Sequence, residues 1–242
     1  MVKKTIKIIG FLALGLAGGF LYQAFLFPYL AGNPYFDKFK FIKEFKERQV
    51  TIYPKEVVVV RENDALTGSV EKVGKTVVGV KASKKGSLTI EGSGIVLTSD
   101  GLAVFLNNLL PEGYALNFYL DNELVKSQIL KRDLKKNLVL VKIDKNNLQT
   151  AGFADLGGIK LGDRVFLVGA VFEKSILIKE ANDGIIKVFD DKLIKTSIIE
   201  NTKLNGSPLF DIEGNLLGLN IVDKDNRVSA ISVKEIRGFA GL

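Results

Sequence analysis

The chain has 242 residues, 47% of them apolar, and a formal charge of +7. That is enough for one large domain or two small ones whose core needs no metal or disulfide. Neither Cys nor His occurs, which excludes disulfide frameworks, thiolate zinc sites, thiol catalysis and any imidazole base. The charge suits nucleic acid or anionic lipid, but the Lys residues are spread along the chain and no nucleic-acid motif is present. A solvated basic surface is the first reading and an anionic bilayer the second. No nucleic-acid partner and no cofactor are expected.

After Lys3, Lys4 and Lys7 the chain carries no charge from Ile8 to Phe36. About 20 apolar residues cross a bilayer core, so a membrane anchor is expected over residues 8–30 within an N-terminal segment 1–32. A cleaved signal peptide is the competing reading, with Ala17-Gly18-Gly19 as its small-residue site. The apolar run continues past that site through Phe25 and Phe27, which favours a retained anchor. Lys residues flank both ends, and the short N-terminal tail places the following domain on the extracytoplasmic side. Residues 33–55 form a juxtamembrane connector, in which Phe36, Phe39, Ile42 and Phe45 recur near helical spacing between Lys residues. An interfacial amphipathic helix and a short helix docked on the soluble domain both fit that pattern.

From residue 56 to 242 the texture is that of a β domain. Short β-branched runs stand at 57–60, 76–80, 94–98, 115–120, 137–143, 164–169, 184–189 and 216–222. Partial alternation on both sides of Asp121-Asn122 adds a hairpin, and helices are expected near 64–74 and in the closing "VKEIRGF". Many short strands with close turn signals indicate an all-β barrel or sandwich. No repeat period points to a solenoid or propeller.

Five blocks carry a family resemblance: "EGSGIVLTSDGLAVFLNNLL" (91–110), "NLVLVKI" (137–143), "FADLGGIKLGDRVFLVG" (153–169), "LNGSPLFDIEGNLLGLN" (204–220) and "VSAISVKEI" (228–236). In this order they resemble the conserved segments of HtrA/Deg-type trypsin-like serine proteases. The resemblance implies a chymotrypsin-like fold of two six-stranded β-barrels with the active site between them. The PDZ domain that usually follows in that family is expected to be absent from a chain that stops at Leu242.

The family's nucleophile falls on Asn205, its general base on Asn108 and its orienting acid on Asn137. An amide serves as neither nucleophile nor base near neutral pH, and it does not stabilise an imidazolium as a carboxylate does. The resemblance also puts the second oxyanion donor on Lys203, where the family has Gly. No catalytic residue is therefore expected. Ser207, the one hydroxyl nearby, fills a family Gly position, and the competing reading pairs it with Lys203 as a Ser–Lys dyad. Asp155, Asp163 and Asp190 read as turn residues, without the spacing of a metal site. Gly92, Gly94, Gly101, Gly214 and Gly218 read as turn or close-approach positions, since no helix start follows them as in a phosphate loop.

The expectation is a membrane-anchored pseudoprotease that binds an extended peptide or a partner protein. Strand addition at 215–222, through Leu219, Asn220 and Ile221, is the expected peptide site. A serine endopeptidase of the HtrA/Deg type and a structural module of an envelope complex are the alternatives. A retained anchor predicts that the protein stays in the membrane fraction at full mass and that protease added outside intact cells digests the domain. A soluble form beginning near Phe20 overturns the anchor, and a protected domain overturns the orientation.

Overall fold

The structure, a computed structural model, describes residues 2–32, 62–174 and 176–242. The connector expected at 33–55 and the β-branched run at 57–60 lie outside the described residues. The chain divides into two units, Met1–Val59 and Val60–Leu242.

In the first unit, helix α1 (Val2–Leu21) continues through a π turn (Tyr22–Leu26) into α2 (Phe27–Gly32). Its apolar side chains do not enter a protein core: Phe11 and Leu16 are 77% and 76% exposed. The stretch Ile6–Leu30 is long and apolar enough, by length and composition, to cross a membrane.

The second unit opens with α3 (Glu62–Gly74), the helix expected near 64–74. Leu66, Val70 and Val73 recur at helical spacing and join the core, while the Ser69 hydroxyl donates to Ile212 O at 2.8 Å. Then come β1 (Val77–Ser83), β2 (Ile90–Val96), β3 (Leu102–Leu106), β4 (Ala115–Leu120), β5 (Glu123–Val125), β6 (Ser127–Asp133) and β7 (Leu138–Ile143). They pair in the order β5-β4-β1-β2-β3-β7-β6. The two ends of this order, β5 and β6, are separated in the chain by Lys126 alone. One bent strand thus pairs with β4 at its start and β7 at its end, so the sheet turns back on itself as a barrel. The β4–β5 turn has the expected chemistry: Asp121 and Asn122 take φ of 47° and 67°, a left-handed pair of the kind that joins two-residue hairpins.

β8 (Arg164–Glu173), β9 (Ile176–Phe189), β10 (Leu193–Ile199), β11 (Pro208–Asp211), β12 (Leu216–Val222) and β13 (Arg227–Ser232) form a closed barrel in the order β10-β13-β12-β11-β8-β9. The fold is the expected all-β chymotrypsin-like double barrel. A final helix, α4 (Val233–Ala240), starts at the Ser232 cap and ends at Gly241, whose φ of 81° suits a residue without Cβ. Its Val233, Ile236 and Phe239 face inward.

One set of buried residues fills the first barrel and runs into its junction with the second through Phe166, Phe172 and Phe210. Another, with Leu167, Ile186, Ile194 and Leu217, fills the second barrel. Each such side chain contributes about 1.5–3 kcal/mol by leaving water. At the junction Tyr119 meets Phe172 edge to face, with centroids 5.1 Å apart. Lys179 on β9 reaches across to donate to Gly74 O (2.7 Å) and Val77 O (2.8 Å). Burial lowers its pKa, partly offset by Asp121, so the charged form is disfavoured in the fold.

Close approach explains one of the β2 glycines. A Cβ on Gly94 would lie 2.3 Å from Phe105 Cδ1 and 2.5 Å from Val104 O. Gly94→Ala is expected to destabilise the domain by about 1–3 kcal/mol in urea unfolding. Gly68→Ala, in α3 where an added Cβ meets nothing within 4 Å, should instead be neutral or stabilising by up to about 1 kcal/mol.

Candidate active-site cleft

β3 ends in a 3₁₀ turn, Asn107–Leu109, pulled inward by Leu109 and Leu110, which are 3% and 0% exposed. Asn108 is left on the surface of that turn. Arg132 braces it by donating to Asn107 Oδ1 (2.8 Å) and Leu110 O (2.7 Å). Asn137 stands at the entry to β7 with φ of 55°, a left-handed conformation that Asn tolerates better than most residues. The Asn108 backbone N–H donates to Asn137 Oδ1 at 3.1 Å, and the Asn107 N–H donates to Asn137 O at 2.9 Å. Two of the three expected positions are therefore joined directly.

Asn205 sits on the other barrel, directly after the 3₁₀ turn Thr202–Leu204. Leu204 anchors this turn: it is 1% exposed and lies over Gly169, where a Cβ would come within 2.1 Å of its Cδ2. The Asn205 carbonyl accepts from Ser93 N–H at 3.0 Å, and its Oδ1 accepts from Val222 N–H at 2.8 Å. Leu109 forms the shared wall. A Cβ on Gly206 or on Gly92 would meet Leu109 Cδ1 at 2.7 Å; Gly206 moreover has φ of 76° and lies against Ser93 O, and a Cβ on Gly92 would lie 2.8 Å from Asn205 O, so the approach requires both glycines. The segments carrying Asn108 and Asn205 thus pack together through Leu109, while the Asn205 amide oxygen bonds to β12 and the Asn137 amide oxygen to the Asn108 backbone.

The two backbone donors at the expected oxyanion positions are both engaged within the turn. Lys203 N–H donates to Asn201 Oδ1 at 2.9 Å, and Asn205 N–H donates to Thr202 O at 3.1 Å. An oxyanion site needs free N–H groups aimed at one point, and these two point into their own loop. Ser207 is fully buried, its hydroxyl donating to Leu204 O (2.7 Å) and accepting from Asn220 Nδ2 (3.1 Å), whereas Lys203 is exposed. The hydroxyl and the amine are not assembled as nucleophile and base.

Strand addition at 215–222 meets a correction. β12 pairs with β11 from Leu216 to Leu219 and with β13 from Gly218 to Val222. Where β11 ends, the loop takes over: Gly206 N–H donates to Asn220 O (2.8 Å) and Asn220 N–H to Ser207 O (2.9 Å). Leu219 and Asn220 are 0% exposed and Ile221 is half-buried. The barrel is closed, so β12 has no edge for an incoming strand. The Asp residues do hold turns: Asp155 accepts from Gly157 N–H (2.9 Å), Asp163 from Lys160 N–H (2.7 Å), and Asp190 from Lys192 and Leu193 N–H. Those two N–H groups hold the Asp190 carboxyl below its usual pKa.

The Asn205 side chain acts as a cap for β12. Asn205→Ala removes the acceptor for Val222 N–H, at a cost of about 1–3 kcal/mol where the group stays shielded from water. Hydrogen exchange at the Val222 amide should rise by about tenfold or more, while exchange at core amides such as Leu167 keeps its rank. An unchanged Val222 rate would remove this role.

No family model matches the chain. Among curated proteins it is similar to a probable periplasmic serine endoprotease, DegP-like, of Halomonas elongata, 28% identical over 142 residues, or 53% of this chain and 28% of the relative. A protein of the same description from Pseudomonas putida is 25% identical over 138 residues, with 53% and 28% covered. A third, from Brucella suis, is 27% identical over 139 residues, with 54% and 27% covered. The chain thus spans little more than a quarter of the length of the curated relatives it matches. Among solved structures, the serine endoprotease from Yersinia pestis superposes with a TM-score of 0.65 at 18% identity, covering 73% of this chain and 65% of that one. That likeness speaks for the fold. Curated relatives and shared architecture together support the HtrA/Deg-type trypsin-like serine proteases as the family that this chain resembles.

Proposed function

We propose that this chain is a membrane-anchored trypsin-like pseudoprotease that works by binding a partner protein. The observation that carries the reading is the closed turn at 201–205, in which Lys203 N–H and Asn205 N–H are both satisfied internally. The sequence adds to it: Asn stands at 108, 137 and 205, and no His occurs anywhere. Removing nucleophile and base from such an enzyme lowers kcat by about 10⁶, and each oxyanion donor lost removes about 3–4 kcal/mol more. Among the described residues, the Ser207 hydroxyl is buried against Leu204 O and the Lys203 side chain is exposed, so this pair does not replace those groups.

Anchoring is supported by the exposed apolar stretch Ile6–Leu30, and an extracytoplasmic domain by the word periplasmic in the names of the curated relatives. Binding is the work left to a domain that keeps both barrels but not the chemistry between them. With β12 paired along both edges, the partner meets the outer surface of the domain, not that strand.

A fluorophosphonate probe, which labels only a base-activated serine, is expected to leave the purified protein unlabelled, and unfolded casein is expected to remain intact. Labelling that disappears in Ser207→Ala overturns the reading in favour of an enzyme. The triple variant Asn108→His, Asn137→Asp, Asn205→Ser is expected to regain at most weak activity. Adding Lys203→Gly should raise that rate by about tenfold or more as the turn relaxes. Equal rates with and without Lys203→Gly would show that the closed turn is not what holds activity down.

A further inference from the structure

The second barrel closes through the far half of β9 only. β8 pairs with β9 from Ile176 to Ile185, whereas β10 pairs with it from Ile186 to Phe189. Backbone groups alternate along an antiparallel strand, so residues 177, 179, 181, 183 and 185 turn their N–H groups to one edge. That edge faces away from β8, as the capped members show. Leu177 N–H donates to Asn122 Oδ1 (2.8 Å), Asp183 N–H to Asn182 Oδ1 (2.8 Å) and Ile185 N–H to Ser197 Oγ (2.9 Å). Among the described residues, nothing accepts from the Lys179 or Ala181 N–H between them.

An open strand edge is usually guarded by a charged side chain, most often Lys. Here the lysine is folded away: the Lys179 ammonium is drawn to Gly74 O (2.7 Å) and Val77 O (2.8 Å). Ala181 is exposed and too small to shield its own backbone. A groove of about 260 Å³ runs beside these two residues, lined on its apolar side by Val70, Gly74 and Val168. A Cβ on Gly74 would meet nothing within 4 Å, so that wall stands open. Two outward N–H groups one strand repeat apart, about 6.6 Å, match the carbonyl spacing of another extended chain. Because α3 stands beside the edge, a single segment reaches it more readily than the edge of a second folded domain.

We infer that β9 accepts an extended segment of a partner protein as an added strand along Lys179–Ala181. Carbonyls of the segment take the Lys179 and Ala181 N–H groups, and a small β-branched side chain opposite Ala181 enters the groove. The rim carries Glu71, Asp121 and Glu180 against Lys75, with Lys179 already engaged. Neutral or basic flanking residues therefore suit the segment, and acidic ones do not. The inference deepens the partner-binding reading above and rests on it.

The test uses the full-length protein in detergent and a fluorescent heptapeptide, Lys-Thr-Val-Thr-Val-Thr-Lys, read by polarisation and amide hydrogen exchange. Bound peptide is expected to slow exchange at the Lys179 and Ala181 amides by about tenfold or more, and to leave Leu177 and Ile185 unchanged. N-methylating alternate peptide residues should weaken binding by about tenfold or more in one parity only, since one set of N–H groups faces β9. Ala181→Pro should abolish binding while the melting temperature holds, because the N–H it removes has no partner in the free domain. No peptide binding, equal effects of the two N-methyl sets, or undiminished binding by Ala181→Pro would each overturn the proposal. So would protection of Lys179 and Ala181 that grows with protein concentration alone, which would make a second copy the occupant. Labelling by the fluorophosphonate probe would overturn the pseudoprotease reading without touching this edge, and a failed edge would not restore an active serine.

Discussion

The arrangement of the cleft depends on one buried seam. Ser93 donates its N–H to Asn205 O at 3.0 Å, and its hydroxyl accepts from Ala170 N–H at 2.8 Å. One residue of β2 thereby fixes both the loop that carries Asn205 and the β8 strand under it. The hydroxyl is 0% exposed, so leaving these groups unpaired would cost about 1–3 kcal/mol for each. Gly92 and Gly206 make the seam possible, because a Cβ on Gly206 would collide with Ser93 O and one on Gly92 would lie 2.8 Å from Asn205 O. Once the seam closes, Leu109 is held between the loops and Asn108 is left at the surface beside it.

Within that frame the three amides do different work. Asn137 accepts the backbone N–H of Asn108 and occupies a left-handed conformation, both of which suit a short polar side chain. Asn205 caps β12 through Val222. Asn108 contributes its backbone to the bond with Asn137 while remaining on the surface. Holding loops in place is what an uncharged donor–acceptor side chain does well, and it needs no proton transfer. The hydroxyl of Ser207 belongs to the same scheme, filling the space under the 3₁₀ turn and bonding to Leu204 O. These contacts turn the loop at 201–207 into a structural element of the second barrel.

The blocks that carried the resemblance were those where turn chemistry and strand burial coincide. Asp121-Asn122 and Gly214 take left-handed conformations that their residue types favour, so these turns were legible without tertiary context. Strands buried on both sides, such as β7 and β8, stood out as continuous apolar runs. β10 and β13 did not, because each turns one face outward and interrupts its run with Lys195 and Ser197 or with Ser229. Leu219, Asn220 and Ile221 were misplaced as a peptide site for a related reason. A strand's sequence reports how its residues alternate but not which neighbours occupy its two edges.

By itself the sequence determined the absence of imidazole and thiol, the identity of the three amides, the apolar N-terminal stretch and the order of the β blocks. All of these are properties of residue type and spacing along one chain. Tertiary structure alone decided that β5 and β6 form one bent strand closing the first barrel and that β12 is sealed on both edges. It also decided that the Lys203 and Asn205 N–H groups are turned into their own loop. Each of these depends on which backbone donor meets which acceptor across long separations in the chain. Composition and periodicity carry no term for that pairing, which is settled only when the barrels close and the seam at Ser93 forms.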